Sequence, residues 1–322
     1  MSKVIGIDIS KETFDVCYEK NGKWSHDIFS NNNRGFRSFK KLLLASDHCV
    51  MEASGPYYLP LALFLHDSDC HVSVVNPLVI RRFAQMKLIR AKTDKKDAMV
   101  IAQYGITHKP GCWVPDNEHI TRMRQLLTAI QSIDKQLTIN TNQLHAFKSS
   151  GLEDSEVRKV LKALIKTLRL KKERLSQRLS ELAMKYYCQT IQRLQSIPGI
   201  GRQTAILLTV ITNNFEKFEH SRQLIAYVGL SPRIYQSGKS INGKSRICKV
   251  GKSSVRKQLY MCAWTAKFHN KTCSEMYERL KHKGKPERVI KIAIANKLLK
   301  QAFALAKNQT EFDRNYIPKP CI

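Results

Sequence analysis

Acidic residues are scarce in this sequence: 26 Asp and Glu stand against 55 Lys and Arg, leaving a formal net charge of +29 over 322 residues. Solubility does not require so large an excess, and the usual polyanion that does is nucleic acid. Glycine (14) and proline (10) are also few, which with 43% hydrophobic residues excludes a low-complexity or disordered chain. The nine cysteines are odd in number and scattered, without a C-x-x-C pair, and the histidines show no H-x-x-x-H spacing. Nothing in this pattern resembles a disulfide framework or a zinc site, and most of the cysteines read as small core residues in a reducing compartment. No apolar run approaches about 18 residues and no signal-peptide pattern opens the chain, which argues against a membrane partner. The expected location is the cytoplasm, at the nucleic acid.

What is present begins with short apolar strands. Val4–Asp8 is a strand ending on an acid, Thr13–Glu19 alternates as a second, and Trp24–Phe29 makes a third, so the chain opens as an antiparallel meander. Arg34–Leu44 has helical spacing, and His48–Glu52 is again a strand ending on an acid. A helix (Tyr57–His66), a strand (His71–Val75) and a helix (Pro77–Gln85) follow, and then a helix over Asp97–Tyr104 with Asp94 near its N-cap. This order is the ribonuclease-H-like (RuvC-like) layout, in which acids at the ends of adjacent central strands meet acids from a late helix.

Here those acids are Asp8, Glu52, Asp94 and Asp97, the last two sharing one helical turn inside an otherwise basic segment. Read singly, each is an ordinary turn or capping acid. Four carboxylates converging would repel unless divalent cations sat between them, so the chemistry implied is two Mg2+ ions, or Mn2+ in their place, about 3.5–4 Å apart. Such a pair activates an attacking oxygen and stabilises a leaving one. The Gly-Ile-Asp-Ile-Ser opening also begins the actin-like sugar kinases, but no second Gly-rich phosphate turn and no P-loop follows.

The middle of the chain, residues 114–188 between an α/β domain at 1–113 and a third domain at 189–322, reads as two long helices. Leu126, Leu127, Ile130, Ile133, Leu137 and Leu144 form one apolar stripe, and the run from Val157 to Leu182 forms another. Joined near Gly151, they are expected to pair as an antiparallel hairpin or coiled-coil spacer. Its basic face serves as a solvated surface, a phosphate contact or a dimer arm.

The last third is read as mostly helical. Ser196-Ile197-Pro198-Gly199-Ile200-Gly201 lies between helices expected at Tyr187–Leu194 and Thr204–Ile211, a helix-hairpin-helix pattern. Pro198, Gly199 and Gly201 are the candidates for letting backbone N–H groups approach a phosphate. Further on, Ser237-Gly238 leads into a segment with seven cations and no acid, Lys239, Lys244, Arg246, Lys249, Lys252, Arg256 and Lys257. A serine on a loop there is placed for a scissile phosphate, although its hydroxyl needs a base or metal to become nucleophilic. Taken by themselves, the residues favour an ordinary loop serine. Helices are expected at Ser253–Lys267, Ser274–Lys281 and Arg288–Ala306, with Met261 and Trp264 read as core.

The stretches GIDISKETFDV, MEASGPYY, NPLVIRRFAQ with KTDKKDA, SIPGIG, YVGLSPRIYQSGKS and KQLYMCAW, in this order, resemble the DEDD transposases of insertion-sequence family one-ten. These are relatives of the Piv-type DNA invertases and include bridge-RNA-guided recombinases. The resemblance implies that Asp8, Glu52, Asp94 and Asp97 are a metal-binding tetrad and that Ser237 is the nucleophile. It implies a composite active site made by the RuvC-like and transposase domains of different subunits, and a transient 5′-phosphoserine. It further implies a structured bridge RNA that pairs with donor and target double-stranded DNA, and a homo-oligomer, a dimer or a tetramer on DNA. The competing readings are a Holliday-junction nuclease with water as nucleophile, a protein-read DNA invertase, and a non-catalytic nucleic-acid scaffold.

Overall fold

A computed structural model gives the structure of the protein and describes residues 3–89, 93–233, 236–237, 241–243 and 246–314. Two compact units divide the chain, Met1–Pro115 and Asp116–Ile322. The first is built on β1 (Val4–Ile9), β2 (Thr13–Lys20), β3 (Lys23–Ser30), α1 (Asn33–Lys40), β4 (His48–Glu52), α2 (Tyr58–His66), β5 (His71–Val75), α3 (Pro77–Met86) and α4 (Asp94–His108). Its sheet runs β3-β2-β1-β4-β5, with the first three strands an antiparallel meander and β4 and β5 parallel to β1. This mixed α/β architecture agrees with a ribonuclease-H-like fold.

Both faces of the central strands are covered, which is why they read as nearly unbroken apolar runs. Ile5, Ile7, Ile9, Cys49 and Met51 pack with Phe36 and Phe39 of α1 and Leu61 and Leu65 of α2. Val50 and Val75 face the other way, against Phe83 of α3 and Val100 and Ile101 of α4. Helix α1 stops at Lys40 rather than at the expected Leu44. Leu42 and Leu44 are exposed, and the Leu44 N–H instead donates to the Asp47 carboxylate.

Helix α4 starts at Asp94, three residues before the expected Asp97, and its cap is Thr93, whose hydroxyl accepts from the Lys96 N–H at 3.3 Å. Its seat on the sheet depends on glycine. A Cβ at Gly6 would lie 2.1 Å from the Ala98 carbonyl oxygen and 2.2 Å from the Ala102 nitrogen, so the helix backbone rests directly on β1. Gly105 makes the same approach further along, where a Cβ would meet Val4 and Val50 at 2.6 and 2.8 Å. Gly6→Ala must therefore lift α4 off the strand. Overpacking of this kind typically costs about 1–3 kcal/mol, and thermal unfolding should drop by several degrees. An unchanged melting temperature would show that strand and helix are not in this contact.

The second unit begins with a helical hairpin, α5 (Glu118–Ser149) and α6 (Ser155–Gln195), in which Lys172 pairs with Asp134 at 2.6 Å. The helix expected separately at Tyr187–Leu194 is the last part of α6, set off by non-helical backbone at Tyr187 (φ −134°, ψ 27°). Neither Gly nor Pro interrupts that stretch, so the chain kinks without stopping. Then come α7 (Arg202–Ile211), α8 (Ser221–Val228), the short strands β6 (Pro232–Arg233), β7 (Gln236–Ser237), β8 (Ile241–Asn242) and β9 (Arg246–Ile247), α9 (Ser253–His269), α10 (Lys271–His282) and α11 (Glu287–Asn308). The hairpin base shares one core with these helices through Ile120, Met123, Leu179, Leu194, Leu208, Leu259, Leu298 and Leu299. Met261 and Trp264 are not in that core: they stand 56% and 46% exposed, because α9 turns Leu259, Cys262, Ala263 and Ala266 inward. Among the described residues no helix is long and apolar enough to cross a membrane.

Candidate functional site

In the first unit the parallel register pairs Ile7 with Met51, so the next residues, Asp8 and Glu52, come side by side at the ends of β1 and β4. Strand alternation puts Asp8 on the face of Gly6, which is the face that α4 covers. The first turn of α4 carries Asp94 and Asp97. Burial, then the negative charges of Asp97, Asp94 and Glu52 in that order, push the Asp8 carboxyl up to about 6, against a smaller opposing pull from the Ile9 backbone N–H. The four carboxylates predicted from sequence thus share one electrostatic neighbourhood. Asp15 is a fifth acid on this face, directly across from Asp8, but its oxygen is held by His26 Nε2 at 2.6 Å.

Oxygen donors and clustered negative charge suit a hard divalent cation in donor type and charge. Among the described residues no three Asp, Glu, His or Cys side chains are gathered so as to hold an ion by themselves. The neighbourhood therefore has the field of a cation site without a closed ligand set.

In the second unit Ser237 lies in β7, not on a loop. Ser237 pairs with Ile241 and Gln236 with Asn242, while β6 pairs with β9, so the serine sits on an antiparallel ribbon. Lys239 and Lys244 lie outside the described residues. Arg246, in β9, and Lys249 are exposed. Lys252 caps α9 and lies 5.9 Å from the Tyr227 ring centroid. Arg256 is half-buried and donates from Nη1 to the Val228 carbonyl at 2.7 Å, so it closes the C-terminal end of α8. Between Glu219 and Glu275 the sequence contains no acid at all.

The helix-hairpin-helix turn has a different surrounding from the one its pattern suggests. Gly199 has φ +103°, which requires glycine, and a Cβ there would stand 2.7 Å from the Ala266 Cβ, so α9 covers this side of the turn. Gly201 is exposed with open space about it and caps α7 without a side-chain acceptor. Its backbone N–H is turned to the Cys262 sulfur, which also meets the Thr204 hydroxyl at 3.2 Å. Pro198 offers its carbonyl to Asn270 Nδ2 at 3.5 Å.

Sequence reasoning missed three residues that position the carboxylates. Gly6 and Gly105 set the depth of α4, and Thr93 fixes where its first turn begins. An isolated glycine inside a strand pattern is a signal of close backbone approach and could have marked Gly6.

Residues 5–147 match a family model described as Transposase, the DEDD group of IS110, and residues 191–278 match one described as Transposase IS116/IS110/IS902 family. Over its whole length the chain is similar to two pilin gene-inverting proteins. It is 31% identical to that of Moraxella lacunata, covering 98% of this chain and 99% of the relative, and 31% identical to that of Moraxella bovis with the same coverage. The transposase for insertion sequence element IS1328 of Yersinia enterocolitica is 26% identical, over 97% of this chain and 98% of its own. Carboxylates from two strands and a helix in the first unit, and a serine ribbon in a basic second unit, therefore occur in a chain that belongs to the IS110 family of DEDD transposases, enzymes of DNA recombination.

Proposed function

We propose that the protein moves an insertion sequence by cutting and rejoining donor and target DNA with Ser237 as nucleophile, under the direction of a structured RNA. The observation that carries the catalytic part is the Asp8 carboxyl, lifted to about 6 by burial and by Asp97, Asp94 and Glu52 together. Perturbed carboxyls of this kind gather at functional sites, and a bound cation would relieve the repulsion among these four. Asp8, Glu52, Asp94 and Asp97 would hold divalent ions, Mg2+ by the hardness of the oxygen donors, which supply charge stabilisation at the attacking and leaving oxygens.

The chain's own groups do the rest. Ser237 Oγ attacks the phosphorus of one DNA strand, forming a serine–phosphate ester and breaking the bond to the 3′-oxygen, which leaves as a hydroxyl. The 3′-hydroxyl of the partner strand then attacks the same phosphorus and releases the serine, so one phosphodiester is lost and one gained without ATP. Arg246, Lys249 and Lys252, with Lys239 and Lys244, counter the phosphate charge. A net charge of +29 is enough for RNA and two duplexes to be held together by several chains. The pilin gene-inverting relatives favour a second reading, in which the same exchange inverts a segment whose ends the protein reads itself.

The test incubates purified protein with DNA carrying the element's ends and Mg2+. A detergent-resistant protein–DNA adduct, mapped to Ser237 by mass spectrometry, is the expected result. Sequencing of the RNA that co-purifies separates the two readings: one discrete RNA supports guidance, whereas only heterogeneous cellular RNA removes the guide and leaves the invertase.

A further inference from the structure

Helix α9 carries an outward row that its own core does not use: Lys257, Met261, Trp264 and Phe268, at i, i+4, i+7 and i+11. Phe268 is 71% exposed, the most open of the three apolar side chains. On a globular surface such a row is expected to be polar. Cations hold these rings in place. Lys267 Nζ stands 5.4 Å from the Trp264 centroid, 4.6 Å from Phe268 and 4.9 Å from Tyr277. Lys291, only 3% exposed, lies 3.0 Å over Trp264 and 6.0 Å from Tyr260. Glu287 is shared by both lysines, at 2.9 Å from Lys291 and 3.4 Å from Lys267, so one carboxylate faces two ammonium groups.

Toward the start of α9 the row leads into a cleft of about 530 Å³. Its apolar lining includes Leu230, Ile247 and Ile292, and Tyr260 also lines it. Lys249, Lys257 and Arg288 line it with positive charge, and among the described residues no acid does. A ligand for this lining is anionic where it meets the cations and flat and apolar where it meets the aliphatic and aromatic side chains. A nucleotide unit has both properties, and the volume is that of a small-ligand site, about 300–1,000 Å³. An intact duplex presents only phosphates here, because its bases are stacked inside. Successive rings at Tyr260, Trp264 and Phe268 are four residues apart, so they rise by about 6 Å each. That exceeds the roughly 3.4 Å rise per base of a stacked strand and suits bases that have come apart.

We propose that this cleft and the outer row of α9 form a track for an unpaired nucleic-acid strand. One base enters the cleft beside Tyr260, the next ones stack on Trp264 and Phe268, and the phosphates follow Lys249, Lys257 and Arg288. The proposal deepens the strand-exchange reading and rests on it for its setting, since strands that change partners must separate first. Non-specific single-strand binding commonly combines such stacking platforms with a basic groove.

Trp264 provides its own reporter. In a Trp24→Phe, Trp113→Phe background it is the remaining indole of the three in the sequence. Its emission should be quenched by an oligothymidylate or an oligouridylate and hardly by a duplex of equal length; the stronger of the two single strands tells whether DNA or RNA uses the track. Phe268→Ala, at a position too exposed to endanger folding, should weaken single-strand binding about tenfold, the scale of one base–aromatic stack, and leave duplex binding within twofold. Equal quenching by duplex and single strand with no effect of Phe268→Ala would reduce the face to a general charge field and overturn the track. So would quenching confined to anionic vesicles or to polyglutamate. The two claims fail separately: a silent Trp264 leaves the Ser237 adduct untouched, and a missing adduct leaves strand binding measurable.

Discussion

Ser237→Ala should abolish the covalent protein–DNA adduct and strand exchange, a loss of at least about 10⁴-fold, the scale on which removing a covalent nucleophile acts. DNA binding should change by less than about twofold if, as proposed, the phosphate contacts come from the neighbouring lysines and arginines. The ribbon is expected to survive the change, since Ser237 pairs with Ile241 and Gln236 with Asn242 through main chain. Any thermal stabilisation by Mg2+ should also survive, since the carboxylates belong to Met1–Pro115 and the serine to the other unit. The comparison to make is gel analysis of adduct, nicked DNA and recombinant product for wild type and variant on one substrate. Full cleavage without adduct by the variant would identify water as the nucleophile and turn the reading to a junction nuclease. Loss of DNA binding along with cleavage would instead place Ser237 among the binding residues.

Why some of this could be read from the sequence and some could not follows from particular residues. Strands β1, β4 and β5 are covered on both faces, so their apolar runs are legible in the sequence, as are the acids Asp8 and Glu52 near the ends of β1 and β4 and the pair Asp94 and Asp97 on the helix that follows. Gly6 was passed over because its meaning depends on a helix nearly a hundred residues away: only with α4 against it does the missing Cβ matter. For Gly199 the structure supplies a reason of its own. Its φ of +103° and the packing of Ala266 would demand glycine whether or not a phosphate ever approaches. Met261 and Trp264 were assigned to the core because apolar residues usually are buried, but that rule runs one way only. Which face of α9 is covered is decided by where α7, α10 and α11 pack, and periodicity within α9 does not contain that information.

The carboxylate neighbourhood gives a second prediction, in which stability and activity move in opposite directions. A carboxyl that titrates at about 6 when folded and at 3.8 when free binds its proton more tightly in the folded state. Its contribution to stability is complete below pH 3.8 and disappears as the pH rises through about 6, so that at neutral pH the ionised Asp8 works against the fold. Solvent access to the half-buried group limits the penalty to on the order of 1–2 kcal/mol. Asp97→Asn removes the first of the charges acting on Asp8 and should raise the melting temperature of metal-free protein at pH 7.5 by a few degrees. The same variant should lose adduct formation and strand exchange by about 10³-fold or more, as expected when the charge stabilisation of a bound divalent ion is lost. In wild type, Mg2+ should raise the melting temperature more at pH 7.5 than at pH 5, because at the lower pH the ion must first displace the Asp8 proton. Melting curves of both proteins, with and without Mg2+ at the two pH values, read all three effects. If Asp97→Asn leaves metal-free stability and the Mg2+ response unchanged, Asp97 and Asp8 do not act on a common ion. If it destabilises the apoprotein, the acid is a structural part of the first turn of α4.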